Sequence, residues 1–461
     1  MERLNLHGMG LVSALLLLTF PVMLSAGDSP ARPNIILILA DDLGYGDLGC
    51  YGQKVIKTPH LDRMASEGMR YTQFYAGSTV CAPSRGALMT GKHTGHGWVR
   101  GNRSPDLPLR AEDATLAESL KRAGYMTALI GKWGLGGPDT SGHPNSKGFD
   151  YFQGYLSQSE AHNYYPEFLW LNSGQSPLPG NVVRRHNVAS ERETYAPDVL
   201  TREALTFIEL YREQPFFLFL SYPLPHTNNE RAAVDGNGME VPNSIPYSTE
   251  RWPMAQRNHA AMITRLDAAV GQVLGQLKRL QLDSKTIVIF TSDNGPHKEG
   301  GADPAFFNSS GGLRGYKRDL TEGGIRVPLI VRWVETIRGG QLERSPAASW
   351  DLFPTLAGLA GTPVPQGLDG VSLAAAWLGR GETPARPPLY WEFHERGFQQ
   401  AIRIRDWKGL RRIPGAPLEL YDLAKDPREE RNVARIQREV VEELEKALKV
   451  SRTSSTYWPG K

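Results

Sequence analysis

Four nearly continuous apolar runs mark the first two thirds of the chain, and polar or ionisable residues follow each of them. The runs are residues 34–40, 125–130, 215–221 and 286–292. Continuous rather than alternating hydrophobicity is typical of strands buried on both faces, as in a parallel sheet. Because ligands of open α/β sheets bind beyond the carboxyl ends of the strands, we expect the polar residues after the four runs to converge.

Helical periodicity separates these runs. Apolar residues at helical spacing predict helices at 114–123, 197–212 and 259–280. Alternating strands and helices predict an α/β fold, with a large, mostly parallel sheet sandwiched by helices. Segments 135–195 and 223–258 are rich in Gly, Pro, Asn, His and Tyr. They predict long irregular segments that wall a pocket.

The pattern changes towards the C-terminus. Residues 384–388 resemble a linker, and a small antiparallel α+β domain is predicted over 386–461, after a main catalytic domain over 33–380. Its predicted strands and closing helix are 389–393, 400–404, 407–413, 418–423 and 436–448.

Residues 1–26 predict a secretory signal peptide. Arg3 precedes a short apolar core over 11–24, and Ala26 ends a plausible cleavage site. The apolar core is short for a membrane span, although an uncleaved anchor stays an alternative. The prediction is a secreted or periplasmic protein with no stable membrane association after the signal is removed.

Composition narrows the class of protein. The 461 residues are 40% hydrophobic and 22% charged, which suits a globular chain with one large domain and a smaller one. The net charge of +3 is too small to indicate nucleic-acid binding. Only two cysteines are present, Cys50 and Cys81. A disulfide between them would use up Cys81, whose sequence surroundings predict a reactive role. Cys50 is therefore predicted to be free and buried.

Two of the strand ends carry oxygen-rich pairs. Asp41-Asp42 follows the first run and Asp293-Asn294 follows the last. Carboxylate and amide oxygens are the ligands that calcium and magnesium prefer. The alternative is that these residues are ordinary turn or helix-cap residues.

The segment from Ser78 to Lys92 carries the remaining chemistry. Pro83 suits the first turn of a helix over 83–90, which Gly91 would end. Cys81 then lies just before a helix N-terminus, where free N–H groups attract anions, and Arg85 lies one turn further on. The simpler alternative is that Cys81 is a small buried hydrophobe.

The motif Cys81-Ala-Pro-Ser-Arg85, followed by Gly-Ala-Leu-Met-Thr-Gly91, resembles the signature of the formylglycine-dependent sulfatases. These are arylsulfatase-type members of the alkaline-phosphatase-like superfamily. The similarity extends over residues 33–432 and includes the Leu-Tyr-Asp-Leu phrase that begins at Leu420. It implies a sulfuric ester hydrolase, and specifically a secreted carbohydrate sulfatase that hydrolyses sulfate monoesters.

The resemblance also implies how the site is built. A formylglycine-generating enzyme would convert Cys81 during maturation, and the formylglycine hydrate would be the nucleophile. Arg85, Lys132 and Lys317 would hold the sulfate oxygens, and His226 or Lys317 would protonate the departing alcohol. The resemblance implies one calcium ion, bound by Asp41, Asp42, Cys81, Asp293 and Asn294.

One position departs from the family pattern. The family commonly reads Gly-Lys-Trp-His-Leu-Gly, whereas this chain has Gly134 in place of the histidine, which normally stands beside the formylglycine. Either another residue takes over that role or catalysis is impaired. His226, His297 and His162 are the candidates for the replacement base. His297 is equally open to interpretation as a substrate contact or an exposed residue.

The sequence says least about which residues form the substrate pocket. Arg100, Asn102, His162 and neighbouring aromatics such as Tyr164 and Trp170 resemble a carbohydrate-binding set, in which rings stack on sugars and polar groups bind hydroxyls. The favoured substrate is a galactose or N-acetylgalactosamine 4-sulfate in a glycan. The alternatives are a phosphodiesterase or phosphonate hydrolase of the same superfamily, or a non-catalytic binder of sulfated glycans.

Overall fold

The computed structural model describes Met1, residues 32–381 and residues 384–460. Apart from Met1, the predicted signal segment lies outside the described residues. Within the described ranges, no helix is both long enough and apolar enough to cross a membrane.

The described residues form seventeen β-strands and ten α-helices. The strands are β1 Asn34–Ala40, β2 Met69–Tyr75, β3 Met126–Lys132, β4 Tyr151–Tyr155, β5 Phe168–Leu171, β6 Gly174–Pro177, β7 Val182–Arg185, β8 Val188–Glu191, β9 Phe216–Ser221, β10 Thr286–Ser292, β11 Arg326–Arg332, β12 Gln341–Glu343, β13 Ala347–Ala348, β14 Leu389–Phe393, β15 Gln399–Ile404, β16 Trp407–Arg411 and β17 Glu419–Asp422. The helices are α1 Pro59–Ser66, α2 Cys81–Thr90, α3 Leu116–Arg122, α4 Ala196–Leu210, α5 Asn229–Asp235, α6 Met254–Arg279, α7 Glu322–Ile325, α8 Leu352–Leu359, α9 Ala374–Trp377 and α10 Arg438–Val450.

The large sheet has eleven strands, and its middle is parallel. Its order is β12-β2-β11-β10-β1-β9-β3-β4-β5-β6, with β13 also paired to β2. Strands β10, β1, β9, β3 and β4 pair in parallel. Antiparallel pairs flank them on both sides, through β11 and β2 at one side and β5 and β6 at the other. The four predicted strands are thus four neighbours in the parallel part of a mixed sheet.

Strand β1 shows why these strands carry continuous apolar runs. Successive side chains of a strand point to opposite faces of the sheet. Ile36 and Ile38 enter one core with residues of α4 and α6, whereas Ile35 and Leu37 enter another with residues of α3 and α8. Every apolar residue of the strand is therefore buried under a helical layer, as the sequence predicts.

Some predicted boundaries need correction. Helix α6 begins at Met254, five residues before the predicted start at 259. Segment 135–195 was predicted to be irregular, but it contains the five short strands β4 to β8. Strands β5 to β8 have four residues each, which is too few to produce a recognisable alternation of apolar and polar positions. Segment 223–258 similarly contains α5.

The C-terminal part confirms the predicted small antiparallel sheet with a helix. Strands β14 to β17 pair in sequence order, and α10 covers one face through Leu444 and Leu448. On the other face, Trp391 joins a core with Val80 and Tyr75, which come from the start of α2 and from β2. The C-terminal sheet thus packs next to the helix that begins at Cys81.

Candidate active site

Helix α2 begins at Cys81 itself rather than at Pro83, and Val80 is its N-cap residue. All ten of its residues are buried, and Gly91 ends it with a φ of 66° in the left-handed region. The Ala82 backbone N–H is satisfied from outside the helix, because it donates to Asn102 Oδ1 at 2.9 Å. The Cys81 side chain is thus fixed in the first turn of a buried helix.

Asp41 is the residue where the predicted groups meet. Its Oδ2 accepts a hydrogen bond from Lys132 Nζ at 2.6 Å, and its Oδ1 lies 3.4 Å from Cys81 Sγ. Arg85 Nη2 lies 3.6 Å from Asp41 Oδ2. Burial opposes ionisation of Asp41, but the positive charges of Lys132, Arg85 and Lys317 outweigh it and hold the pKa of Asp41 well below its usual range. Asp41 is therefore an anion in the folded protein.

Arg85 is locked in place by bonds in several directions. Its Nε and Nη2 donate to Asp293 Oδ2 at 3.1 and 2.8 Å, and its Nη1 donates to Ser221 Oγ at 2.6 Å and Lys132 O at 2.9 Å. Burial and the neighbouring Asp41 raise the pKa of Asp293 to about 7. Ser221 was not predicted, although it ends one of the four apolar runs, and that position was a usable signal.

Asp42 collects the second set of groups. It has a φ of 66°, a conformation that aspartate tolerates better than most residues. Its Oδ2 accepts from Lys317 Nζ at 2.9 Å, and its Oδ1 accepts from Asn294 Nδ2 at 2.7 Å. Lys317 Nζ also lies 3.0 Å from His226 Nε2. Lys317 thus bridges Asp42, a predicted metal ligand, and His226, the predicted proton donor to the departing alcohol.

The tautomer of His226 follows from its partners. Its Nδ1 lies 2.6 Å from Thr227 O, so Nδ1 carries the proton and Nε2 accepts from Lys317. Burial and the Lys317 charge hold the pKa of His226 well below its usual range, so the ring is neutral. The His162 ring stacks on it, with centroids 4.9 Å apart and planes at 10°. His162 Nδ1 in turn lies 3.0 Å from Glu230 Oε2.

The oxygen-rich residues predicted to bind a metal, Asp41, Asp42, Asp293 and Asn294, fit a hard divalent cation and are called the acidic set. Asn294 Oδ1 is buried and has no hydrogen-bond partner among the described residues, so an ion would satisfy it. The three carboxylates of the set face three cations, so a divalent ion would leave the site positive and suited to an anionic ester. Oxygen donors of this type favour calcium or magnesium. The side chains that could hold the ion are Asp41, Asp42, Cys81, Asp293 and Asn294.

The thiol of Cys81 is a poor nucleophile in this setting. Burial and the charge of Asp41 raise the pKa of Cys81 well above its usual range. Because the thiolate is the reactive form of cysteine, an unmodified Cys81 would be largely inert at neutral pH. Cys50 is also free, but it is half-buried rather than buried as predicted.

A cavity of about 460 Å³ lies over these groups. Cys81, Lys132, His226 and Lys317 line it, and so do the predicted substrate residues Asn102 and His162. Its other lining residues are Arg103, Ser104, Pro105, Asp106, Ser157, Gln158, Ser159, Asn229, Glu299 and Arg318. Four of these residues lie in segments 135–195 and 223–258, which the sequence predicts to wall a pocket; they are Ser157, Gln158, Ser159 and Asn229. The others lie outside both segments, and no sequence pattern indicated them.

Two predicted site residues, Arg100 and His297, are buried and do not line the cavity. Arg100 does not face the cavity: its Nη1 lies 3.2 Å from Glu392 Oε1, and it also donates to Thr453 O at 3.0 Å. A substrate contact of Arg100 stays a prediction, but Arg100 is not among the residues that line the cavity. Sequence order cannot tell which side of a loop corner a side chain takes. His297 is buried, with Nε2 3.2 Å from Pro225 O and Nδ1 accepting from Glu299 N at 3.2 Å. Both its ring nitrogens are occupied.

The predicted aromatic residues also have other roles. The Tyr164 hydroxyl lies 2.7 Å from Pro223 O and 2.6 Å from His226 O, so this buried side chain supports the loop of His226. Trp170 lines a separate cavity.

Gln158 fills the space beside Gly134. Gly134 has a φ of 74°, and a Cβ built on it would lie only 1.9 Å from Gln158 Nε2. The same Nε2 donates to Gly134 O at 3.3 Å. Position 134, where the family pattern has a histidine, is thus a glycine in this chain, and the amide of Gln158 fills the space beside it.

The fold and the site define a sulfuric ester hydrolase with an alkaline-phosphatase-like architecture. The chain belongs to the sulfatase family: the family model described as Sulfatase matches residues 33–362. A second model, described as N-sulphoglucosamine sulphohydrolase, C-terminal, matches residues 314–454.

Three similar proteins cover most of the chain. An N-acetylgalactosamine-6-O-sulfatase of Bacteroides thetaiotaomicron is 30% identical and aligns with 93% of this chain and 94% of its own length. Human arylsulfatase A is 34% identical over 89% of this chain and 85% of its own. The crystal structure of Ps i-CgsB in complex with k-i-k-neocarrahexaose superposes with a TM-score of 0.79 at 28% identity, covering 93% of this chain and 95% of that one.

Proposed function

We propose that this protein hydrolyses sulfate monoesters of a sulfated glycan, with formylglycine made from Cys81 as the nucleophilic residue. The observation that carries the proposal is the position of Cys81. It lies in the first turn of α2, shares the Asp41 carboxylate with Lys132 and Arg85, and lines the cavity. Formylglycine there would supply a hydrated aldehyde, with one hydroxyl to attack sulfur and another to release sulfate.

The charged side chains bind and orient the sulfate. Lys132 and Lys317 line the cavity, and their ammonium groups are held by Asp41 and Asp42 at 2.6 and 2.9 Å. Arg85 adds a guanidinium fixed to Asp293 and Ser221. Preorganised cations of this kind stabilise negative charge without reorganising during the reaction.

The Lys317–His226 pair supplies the proton for the departing alcohol. Lys317 donates to His226 Nε2 at 3.0 Å, and both side chains line the cavity. The proton can come from Lys317 directly, or from His226 after transfer along this hydrogen bond.

The calcium ion would be held by Asp41, Asp42, Asp293, Asn294 and the modified residue 81. Bound there, it would neutralise charge on the sulfate and orient it. The unpartnered Oδ1 of Asn294 supports this assignment.

We assign the role of the missing histidine to His162 rather than His297. Glu230 engages His162 Nδ1 at 3.0 Å, which leaves Nε2 available as a base in the cavity. A carboxylate that orients a histidine in this way is a recurrent feature of general bases. His297 offers no free ring nitrogen.

A glycan substrate is supported by two of the similar proteins, whose names specify an N-acetylgalactosamine sulfate and a complex with neocarrahexaose. Within this class we retain a galactose or N-acetylgalactosamine sulfate as the target sugar. The 4-sulfate is our preferred position, to be compared directly with the 6-sulfate. Secretion to the periplasm or medium and maturation by a formylglycine-generating enzyme complete the proposal, with Ala26 as the last residue of the signal peptide.

Mass spectrometry of the peptide that contains residue 81, from protein made in the native host, tests the nucleophile. The expected result is loss of the thiol and gain of an aldehyde at position 81. Fully processed, active protein with only unmodified cysteine would refute the mechanism. A host that lacks the modifying enzyme serves as the negative control.

A comparison of matched sulfate and phosphate esters tests the reaction class. Faster turnover of the sulfate ester is expected, whereas faster turnover of a phosphodiester or phosphonate would favour the other branch of the superfamily. Binding of sulfated glycans without any turnover would indicate a non-catalytic binder.

A further inference from the structure

The cations that line the cavity fall into two groups. Lys132, Lys317 and Arg318 each have a carboxylate partner, at 2.6, 2.9 and 3.0 Å respectively. Arg103 also lines the cavity, but its side chain is exposed and no carboxylate of the described residues lies within ion-pair distance of it. Among the lysines and arginines that line the cavity, within the part of the chain that the structure describes, Arg103 is therefore the one whose charge is not paired with a carboxylate.

Two aromatic rings from the end of the chain hold Arg103. Its Cζ lies 5.2 Å from the ring centroid of Tyr457 and 5.9 Å from that of Trp458. Trp458 is anchored, since its Nε1 donates to Trp98 O at 2.9 Å. The Tyr457 ring meets the Trp98 ring edge-on, with centroids 5.1 Å apart. Stacking fixes the position of a guanidinium while leaving its N–H groups for a ligand.

The nearest acidic residue on the same loop has a different partner. Asp106 Oδ2 accepts a hydrogen bond from the backbone N–H of Gln158 at 2.7 Å. This bond ties Asp106 to the cavity wall and leaves the charge of Arg103 uncompensated.

We propose that Arg103, seated on Tyr457 and Trp458, forms a second anion site at the rim of the cavity. Its ligand is a sulfate or carboxylate of the substrate other than the ester that is hydrolysed. This inference rests on the proposed function and narrows it to glycans with at least two anionic groups. A planar guanidinium forms paired hydrogen bonds with both kinds of oxyanion, so the two share one binding chemistry.

Binding to the Cys81→Ala protein tests the site without turnover. The probes are a galactose-based tetrasaccharide with one sulfate, the same tetrasaccharide with a second sulfate on the neighbouring sugar, and a version with a uronate neighbour. Introducing Arg103→Ala should weaken binding of the doubly sulfated probe about tenfold or more, because hydrogen bonds to charged groups are among the strongest in proteins. Binding of the singly sulfated probe should change by less than about twofold.

Three further variants serve as comparisons. Arg103→Lys keeps the charge but loses the planar fork, so an intermediate loss is expected. Tyr457→Leu removes an exposed ring of the platform and should weaken binding of the same probe in the same direction. Arg202→Ala removes an exposed arginine of α4 that does not line the cavity, and should leave binding unchanged.

The outcomes separate the two proposals. Equal weakening of the singly and doubly charged probes by Arg103→Ala, or no weakening of either, would overturn the second anion site. A selective loss for the uronate probe alone would identify the ligand as a carboxylate. Turnover of a small aryl sulfate, which carries no second anionic group, by the unaltered protein tests the sulfatase function independently.

Discussion

The amide of Gln158 occupies the space that any side chain at position 134 would need. Gln158 Nε2 lies 1.9 Å from the Cβ position of Gly134 and donates to the Gly134 carbonyl at 3.3 Å. The two residues therefore form a matched pair, in which glycine leaves the space and glutamine fills it. Restoring the family histidine would require the Gln158 side chain either to leave this space or to be replaced by a smaller one.

Gly134→His alone should destabilise the protein and lower its activity. The clash with Gln158 adds an overpacking cost of about 1–3 kcal/mol, and the positive φ adds about 1–2 kcal/mol. The double variant with Gln158→Ala should recover most of the overpacking cost. Urea unfolding and kcat/KM of the single and double variants measure this coupling, and strictly additive effects would show that the two residues do not share the space.

Asp41→Asn should reduce metal affinity and turnover together. The substitution keeps the shape but removes the charge that binds Lys132 and faces Arg85 and Cys81. We expect a loss of at least about tenfold in kcat, with less bound calcium measured by elemental analysis.

Asp139→Asn is the matched control for this experiment. Asp139 is exposed and has a φ of 57°, which asparagine also tolerates. Full activity of Asp41→Asn after thorough chelation would show that the acidic set is structural.

Arg100→Met should affect stability rather than substrate binding. Arg100 and Glu392 are both buried, and their side chains lie 3.2 Å apart. Glu392 keeps Arg452 and His394 as partners at 2.8 and 3.0 Å, so the loss of Arg100 should cost about 1.5–3 kcal/mol, the range for a hydrogen bond to a charged group. Chemical denaturation should show the loss, while KM of the folded variant stays within about twofold. A raised KM with unchanged stability would instead return Arg100 to the substrate site.

Lys408→Met should destabilise the contact between the C-terminal sheet and the main sheet. Lys408 Nζ lies 2.9 Å from a carboxylate oxygen of Glu322 and 2.9 Å from one of Glu429, and all three side chains are fully buried. We expect a loss of about 3–5 kcal/mol in the free energy of unfolding. Lys425→Met, which removes a lysine that is 85% exposed and pairs with Asp422, should cost less than about 1 kcal/mol.

The pH dependence of stability should report on Glu322. Burial opposes its ionisation, but Lys408 and Arg326 lower the pKa to about 2 from an ordinary value of 4.5. Its stabilising contribution is therefore present above pH 4.5 and is lost as the pH falls towards 2, a change of about 3 kcal/mol.

Glu322→Gln should reduce this acid-side slope in unfolding curves measured across the same pH range. Burial raises the pKa of Glu429, so that residue contributes with the opposite sign, and the variant must be compared with wild type at each pH. Identical slopes would contradict the assignment to Glu322.

The sequence determined the parallel middle of the sheet and most of the charged residues that meet at the candidate active site. Each of the four apolar runs must be covered on both faces, and that requirement alone defines strands in a helix-covered sheet. Since neighbouring parallel strands end at one edge, Asp41 and Asp293 had to lie near each other, and their backbones do follow adjacent strands β1 and β10. The resemblance of the Cys81 motif then named the chemistry, which the similarity to the sulfatase family confirms at the level of the enzyme class.

Only the tertiary structure decided where the side chains of the loops lie. Side chains in segments without periodicity point wherever their long-range partners hold them. Thus Arg100 faces Glu392, whereas Arg103, three residues later, lines the cavity. The same applies to Gln158, whose closeness to Gly134 depends on a contact across 24 residues of chain. Such contacts are set by how the sheet brings distant segments together, and local sequence does not encode that arrangement.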